Sequence, residues 1–127
     1  MNRKIAQLAA VALTLFASSP AFAHEDAKGP HGGQVIDAAG HHIEFVPSPQ
    51  ALTLFLTDAA GKPIASEGTT AKAIVQDGGK TSSIDLVPAD PDMLTAKLAS
   101  PLGAGAKIAV TATMADGHKL QVLYVAP

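Results

Sequence analysis

The 127-residue chain has no cysteine and no tryptophan, one tyrosine, four phenylalanines and only 16% charged residues. Each shortage excludes something. Without cysteine there is no disulfide framework, no thiolate metal site and no cysteine nucleophile. Any metal must therefore be held by histidine, carboxylate, methionine or backbone groups. With so few aromatics the core must be built from Leu, Val, Ile and Ala, and stability must come from apolar burial and strand pairing. Beyond Arg3 and Lys4 the basic residues are scattered singly, so no basic patch for nucleic acid or anionic lipid is expected. There is no Gly-x-Ser-x-Gly elbow, phosphate loop or His-Glu-x-x-His motif. Gly103-Ala-Gly105 lacks the strand-to-helix setting of a nucleotide site, so the chain is not expected to be an enzyme.

One apolar run stands out, and it lies at the start. Arg3 and Lys4 precede an apolar stretch over residues 5–16, and Ala21-Phe22-Ala23 supplies a small-x-small site. Residues 1–23 therefore read as a secretory signal cut after Ala23, which predicts a periplasmic protein. The run falls short of the roughly 20 residues a membrane span needs. No cysteine follows it to carry a lipid, so no membrane anchor is expected after cleavage. Cleavage would leave about 100 residues, the size of one small domain. It would also remove Arg3 and Lys4 and make the remainder more acidic.

Residues 24–33 are polar, contain Gly and Pro and show no periodicity, and are read as a flexible arm. Beyond them, over 34–127, short β-type runs recur with turn signals between them. They span 34–36, 41–46, 51–57, 70–76, 81–87, 93–98, 107–114 and 119–125. Leu52, Leu54 and Leu56 alternate with Thr53 and Thr57, and Ile108, Val110, Ala112 and Met114 alternate with Ala109, Thr111 and Thr113. That is the period of strands with one face on a core. Only residues 65–74 are ambiguous with helix. The pattern predicts an all-β domain, a single antiparallel sandwich of immunoglobulin-like kind with seven to eight strands, or alternatively a small β-barrel.

Chemistry concentrates in the histidines. Four of the five, His24, His31, His41 and His42, lie close together after the cleavage site, and His118 follows the Asp116-Gly117 turn. His24 would become the amino terminus, where α-amine and imidazole chelate one ion, an arrangement that suits Cu(II). His31 precedes Gly32-Gly33, which lets backbone approach a ligand or simply turns the chain. His42 and Glu44 share a strand face and form a plausible ligand pair. His41 shares the opposite face with Ile43 and Phe45 and reads as a core-edge residue first and a ligand second. If residues 37–40 form the hairpin loop, Ile36 pairs with His41. His31 then lies about 16 Å away, too far to share an ion with His41 or His42 unless the arm folds back. His118, on another hairpin, is a reserve ligand. Met93 and Met114 would suit Cu(I), although Met114 continues an apolar face and reads as core.

Three segments together, His31-Gly-Gly-Gln-Val35, Gly40-His-His-Ile-Glu-Phe-Val46 and the strand over 52–58 followed by Gly61-Lys-Pro-Ile64, resemble small periplasmic domains associated with heavy-metal efflux systems. Such a domain is also carried by some membrane-fusion adaptor subunits. The resemblance covers residues 31–64 and the remaining strands in outline. It implies a periplasmic β-domain near transition-metal handling, with efflux components as partners. His24 is similar to the amino-terminal histidine of small periplasmic copper carriers with β-sandwich folds. The expected function is thus transition-metal binding or buffering, with copper favoured and zinc or nickel open, through His24, His31, His42 and Glu44, with His41 and His118 in reserve. The alternative is a non-enzymatic envelope protein-interaction module whose histidines are incidental.

Overall fold

The computed structural model describes residues 27–127. Nine antiparallel strands follow one another: β1 (Ala27–Lys28), β2 (Gln34–Ala38), β3 (His41–Pro47), β4 (Ala51–Asp58), β5 (Thr70–Asp77), β6 (Lys80–Ala89), β7 (Met93–Lys97), β8 (Lys107–Thr113) and β9 (Lys119–Val125). Eight of them have five residues or more. Each of the eight expected runs is a strand, and the ambiguous stretch 65–74 is a loop over 65–69 followed by the first residues of β5. No described residue is helical.

The strands form one sheet in the order β1-β2-β3-β4-β7-β6-β5-β8-β9. The protein is all-β, and of the two expected forms it takes the near-barrel one. A sandwich needs two separate sheets; here β6 belongs to both halves. Its earlier residues pair with β5, ending at Leu86 opposite Ala71, and its last three, Val87, Pro88 and Ala89, pair with β7. The long strand thus carries the sheet around a corner, as curved sheets require. The two ends of the sheet then meet. The Tyr124 hydroxyl on β9 donates to the Ile43 carbonyl on β3 at 2.8 Å, and its ring stacks on Phe45 at a centroid distance of 4.6 Å.

The core fills the interior with the residues the alternation marks. Ile43, Phe45, Leu52, Leu54, Leu56 and Leu94 pack from one half, and Val75, Ile108, Val110, Leu120, Val122 and Tyr124 from the other. Met114 is buried among them, in keeping with its reading as core. Strands expose alternate side chains, so the residues between these face outward, and on β2, β3 and β4 they build the site described next.

Candidate functional site

The β2–β3 hairpin closes through a two-residue turn, Ala39-Gly40, with φ of 48° and 80°. Both residues are in the left-handed region, as the tightest hairpin turns demand. Ala38 therefore pairs with His41, and Ile36 pairs with Ile43. The expected pairing of Ile36 with His41 is overturned: the loop is two residues long, because Ala39 accepts a strained φ that favours Gly or Asn.

This register aligns two outward-facing rows across β2, β3 and β4. One is Val35, Glu44 and Phe55, and the next is Asp37, His42 and Thr57. The chain ahead of β2 then doubles back over them. β1 pairs with β2, placing Ala27 opposite Val35 and Lys28 opposite Gln34. The turn over residues 29–33 is closed by Gly29 N–H to Gly33 C=O and Gly32 N–H to Gly29 C=O, both 2.9 Å. Of the arm read from the sequence, residues 27–33 are thus a strand and a turn. Two glycines permit the close approach: a Cβ on Gly29 would strike the Glu44 carboxylate, and one on Gly33 would strike the Phe45 carbonyl oxygen.

The turn brings His31 onto Glu44. The carboxylate accepts the His31 backbone N–H at 2.9 and 3.0 Å, and its oxygens lie 3.3 and 3.2 Å from His31 Nδ1. Glu44 is 4% exposed, so these contacts supply what water would otherwise provide to a buried charge. The His31 ring also stacks on Phe55, with centroids 3.6 Å apart and planes within 6°. Glu44 is therefore a clamp on His31 before it is anything else.

His42 lies in the next row, its Nδ1 3.2 Å from Asp37 Oδ1. His31, His42, Glu44, Phe55 and Thr57 line one cleft of about 260 Å³ between the 29–33 turn and the sheet. The structure therefore brings His31 and His42 to one cleft because the arm folds back.

His41 and His118 lie elsewhere. His41, half-buried, faces the same side as the core residues Ile43 and Phe45 but at the strand's end, with Nδ1 3.1 Å from the Ala39 carbonyl oxygen. His118 is exposed on the β8–β9 hairpin, with Nδ1 2.7 Å from Asp116 Oδ2, while its backbone N–H donates to Asp116 Oδ1 at 3.0 Å. That backbone N–H, and next the ring, hold the Asp116 carboxyl below its ordinary value. The two rings approach to 6.4 Å between centroids. His24 lies outside the described residues. Among the described residues, no three His, Asp or Glu side chains are placed to hold one ion together.

Of the residues singled out in the sequence, His31, His42 and Glu44 meet in this cleft, together with Gly29, Phe55 and, beside His42, Asp37, which the sequence did not single out. Asp37 was legible as a cross-strand partner only with the right register. Phe55 carried no signal, since it sits on the polar face of a strand whose leucines took the core assignment. Comparison with known protein families, curated proteins and solved structures finds no match to this chain.

Proposed function

We propose that the protein binds or buffers a transition metal in the periplasm, without enzymatic activity, and that copper is its favoured ion, with zinc and nickel as alternatives. One observation carries the reading. All four described histidines hold Nδ1 against an oxygen acceptor: Glu44 for His31, the Ala39 carbonyl for His41, Asp37 for His42 and Asp116 for His118. An acceptor at Nδ1 fixes the proton there and leaves Nε2 as the lone-pair donor, the arrangement in which histidines ligate metals. Imidazole donors with carboxylates behind them fit Cu(II), Zn(II) and Ni(II) and do not fit hard cations such as calcium.

In the cleft, His31 and His42 would supply the nitrogen ligands, with Glu44 and Asp37 orienting them. His24 is the third ligand of this proposal. Four residue steps lead from it to Lys28 at the cleft's edge, a reach of about 13 Å for extended chain. Residues 1–23 serve as the export signal, so that His24 presents a free α-amine. The resemblance of residues 31–64 supports a place beside metal-efflux components, which would exchange the ion with this protein.

Isothermal titration of Cu(II), Zn(II) and Ni(II) into protein beginning at His24 tests the reading. Copper is expected to bind most tightly. One extra residue ahead of His24 should weaken it, and Glu44→Gln should weaken it by on the order of 10- to 100-fold through loss of the His31 clamp. Absence of binding by all three ions would overturn the reading.

One feature favours the alternative of an envelope interaction module. Ile74, Ala109 and Leu123 form a cross-strand row on the outer face of β5, β8 and β9, and Leu123 is 57% exposed. On that reading, alanine at every histidine leaves partner capture unchanged.

A further inference from the structure

β3 carries histidines on both of its faces, and the two faces lead to different places. His42 enters the cleft under the 29–33 turn, whereas His41 points toward the end of the barrel where the β8–β9 hairpin arrives. We propose that His41 and His118 form a second transition-metal site, independent of the cleft, whose ion ties the start of β3 to the β8–β9 hairpin.

The two residues are remote in sequence, so only the closure of the sheet brings them together. Tyr124 and Phe45, deeper in the same seam, hold β9 against β3 and fix the distance between the elements that carry the two rings. The rings stand 6.4 Å apart, tilted by 57°. Two imidazoles bound through Nε2 to one tetrahedral ion at about 2.0–2.1 Å have centres roughly 5 Å apart. The required closure of roughly 1 Å is within small torsional changes of a side chain free to move in solvent. His118 is such a side chain, at 68% exposure.

Both rings are also set for ligation. His41 donates from Nδ1 to the Ala39 carbonyl and His118 from Nδ1 to Asp116, so each presents Nε2. The Ala39 carbonyl belongs to the tight β2–β3 turn and the Asp116 carboxylate to the β8–β9 turn, so each ligand is oriented by the hairpin that bears it. Asp116 adds a negative charge that offsets the cation's. With two protein nitrogens, water completes the shell, as at sites that exchange their ion. Unlike the cleft, this site needs neither the amino terminus nor the 29–33 turn.

The test uses Zn(II) alone, titrated into the full mature chain carrying His24→Ala, His31→Ala and His42→Ala, in which His41 and His118 are the remaining histidines. Nuclear magnetic resonance of the imidazole nitrogens is the readout. Both Nε2 signals are expected to shift together, reaching their end point at one equivalent of Zn(II), and the melting temperature is expected to rise. Adding His118→Ala to this background should weaken binding by on the order of tenfold or more. The exposure of His118 makes that replacement compatible with folding. A shift of one ring alone, separate titrations of the two rings, or no shift would each overturn the site. In the chain with all its histidines, loss of the His31 and His42 response with the His41 and His118 response retained would count against the cleft only, so the two sites fail separately.

Discussion

Tyr124 is the only tyrosine, and its hydroxyl reaches from β9 to the Ile43 carbonyl on β3. Burial pushes its pKa well above the ordinary 10.0, and the Glu44 charge adds to the push. The folded state therefore holds the phenol neutral at a pH where the unfolded chain ionises it. The sign follows: this contribution to stability is intact below pH 10 and is lost progressively as pH climbs above it. Tyr124→Phe should cost about 0.5–1.5 kcal/mol at neutral pH through the lost hydrogen bond. The gap between wild type and variant should narrow above pH 10, since the variant has no phenol to ionise. Urea titrations at pH 7 and pH 10.5 check both parts. Glu44 makes a related point at the same scale. Its 4% exposure is produced by a turn that precedes it in the chain, and nothing in its own strand announces that a carboxylate on the outer face will be covered.

At the scale of the element, the β2–β3 hairpin sets which side chains meet. Ala39 sits at φ 48°, where an L-residue other than Gly, Asn or Asp pays roughly 1–2 kcal/mol. Ala39→Asn, which makes the turn Asn-Gly, should stabilise the protein by about 0.5–1 kcal/mol without moving the register. A rise in the urea midpoint with unchanged slope would bear this out; a fall would mean that the turn differs from the one described. The strands themselves were legible. Alternation along residues 51–57 and 107–114 marked both their existence and their inward faces, and Leu52, Leu54, Leu56, Ile108 and Val110 are all buried. The pairing was less so. Asp37-Ala-Ala-Gly40 reads as a four-residue loop by its turn formers, and the two-residue turn chosen in its place shifts Ile36 from His41 to Ile43. That shift leaves the face assignments unaltered, because two residues is one full strand period. It decides, however, that Asp37 stands beside His42.

For the whole molecule, closure of one sheet is the decisive event. Phe45 is 1% exposed and stacks on Tyr124, joining the β3 side of the barrel to the β9 side in a core with few other aromatics. Phe45→Ala should cost about 3–5 kcal/mol, a large share of the 5–15 kcal/mol that holds a domain of this size. Chemical denaturation measures it, and a loss below about 1 kcal/mol would mean that the seam is held elsewhere. The same closure brings His118 within 6.4 Å of His41, which no local pattern in either segment anticipates.

By itself the sequence determined what depends on neighbours along the chain: the strand positions, the inward faces, and the absence of thiol chemistry, which leaves histidine, carboxylate, methionine or backbone groups for any metal. Tertiary structure alone decided what depends on chain reversal and closure. It chose the near-barrel over two separate sheets, because β6 is long enough to serve both halves. It folded the 29–33 turn onto Glu44, because glycine at 29 and 33 leaves room for contact. It also sorted the histidines by location, His31 with His42 and His41 with His118, because adjacent residues on a strand point to opposite faces and each face meets a different part of the fold.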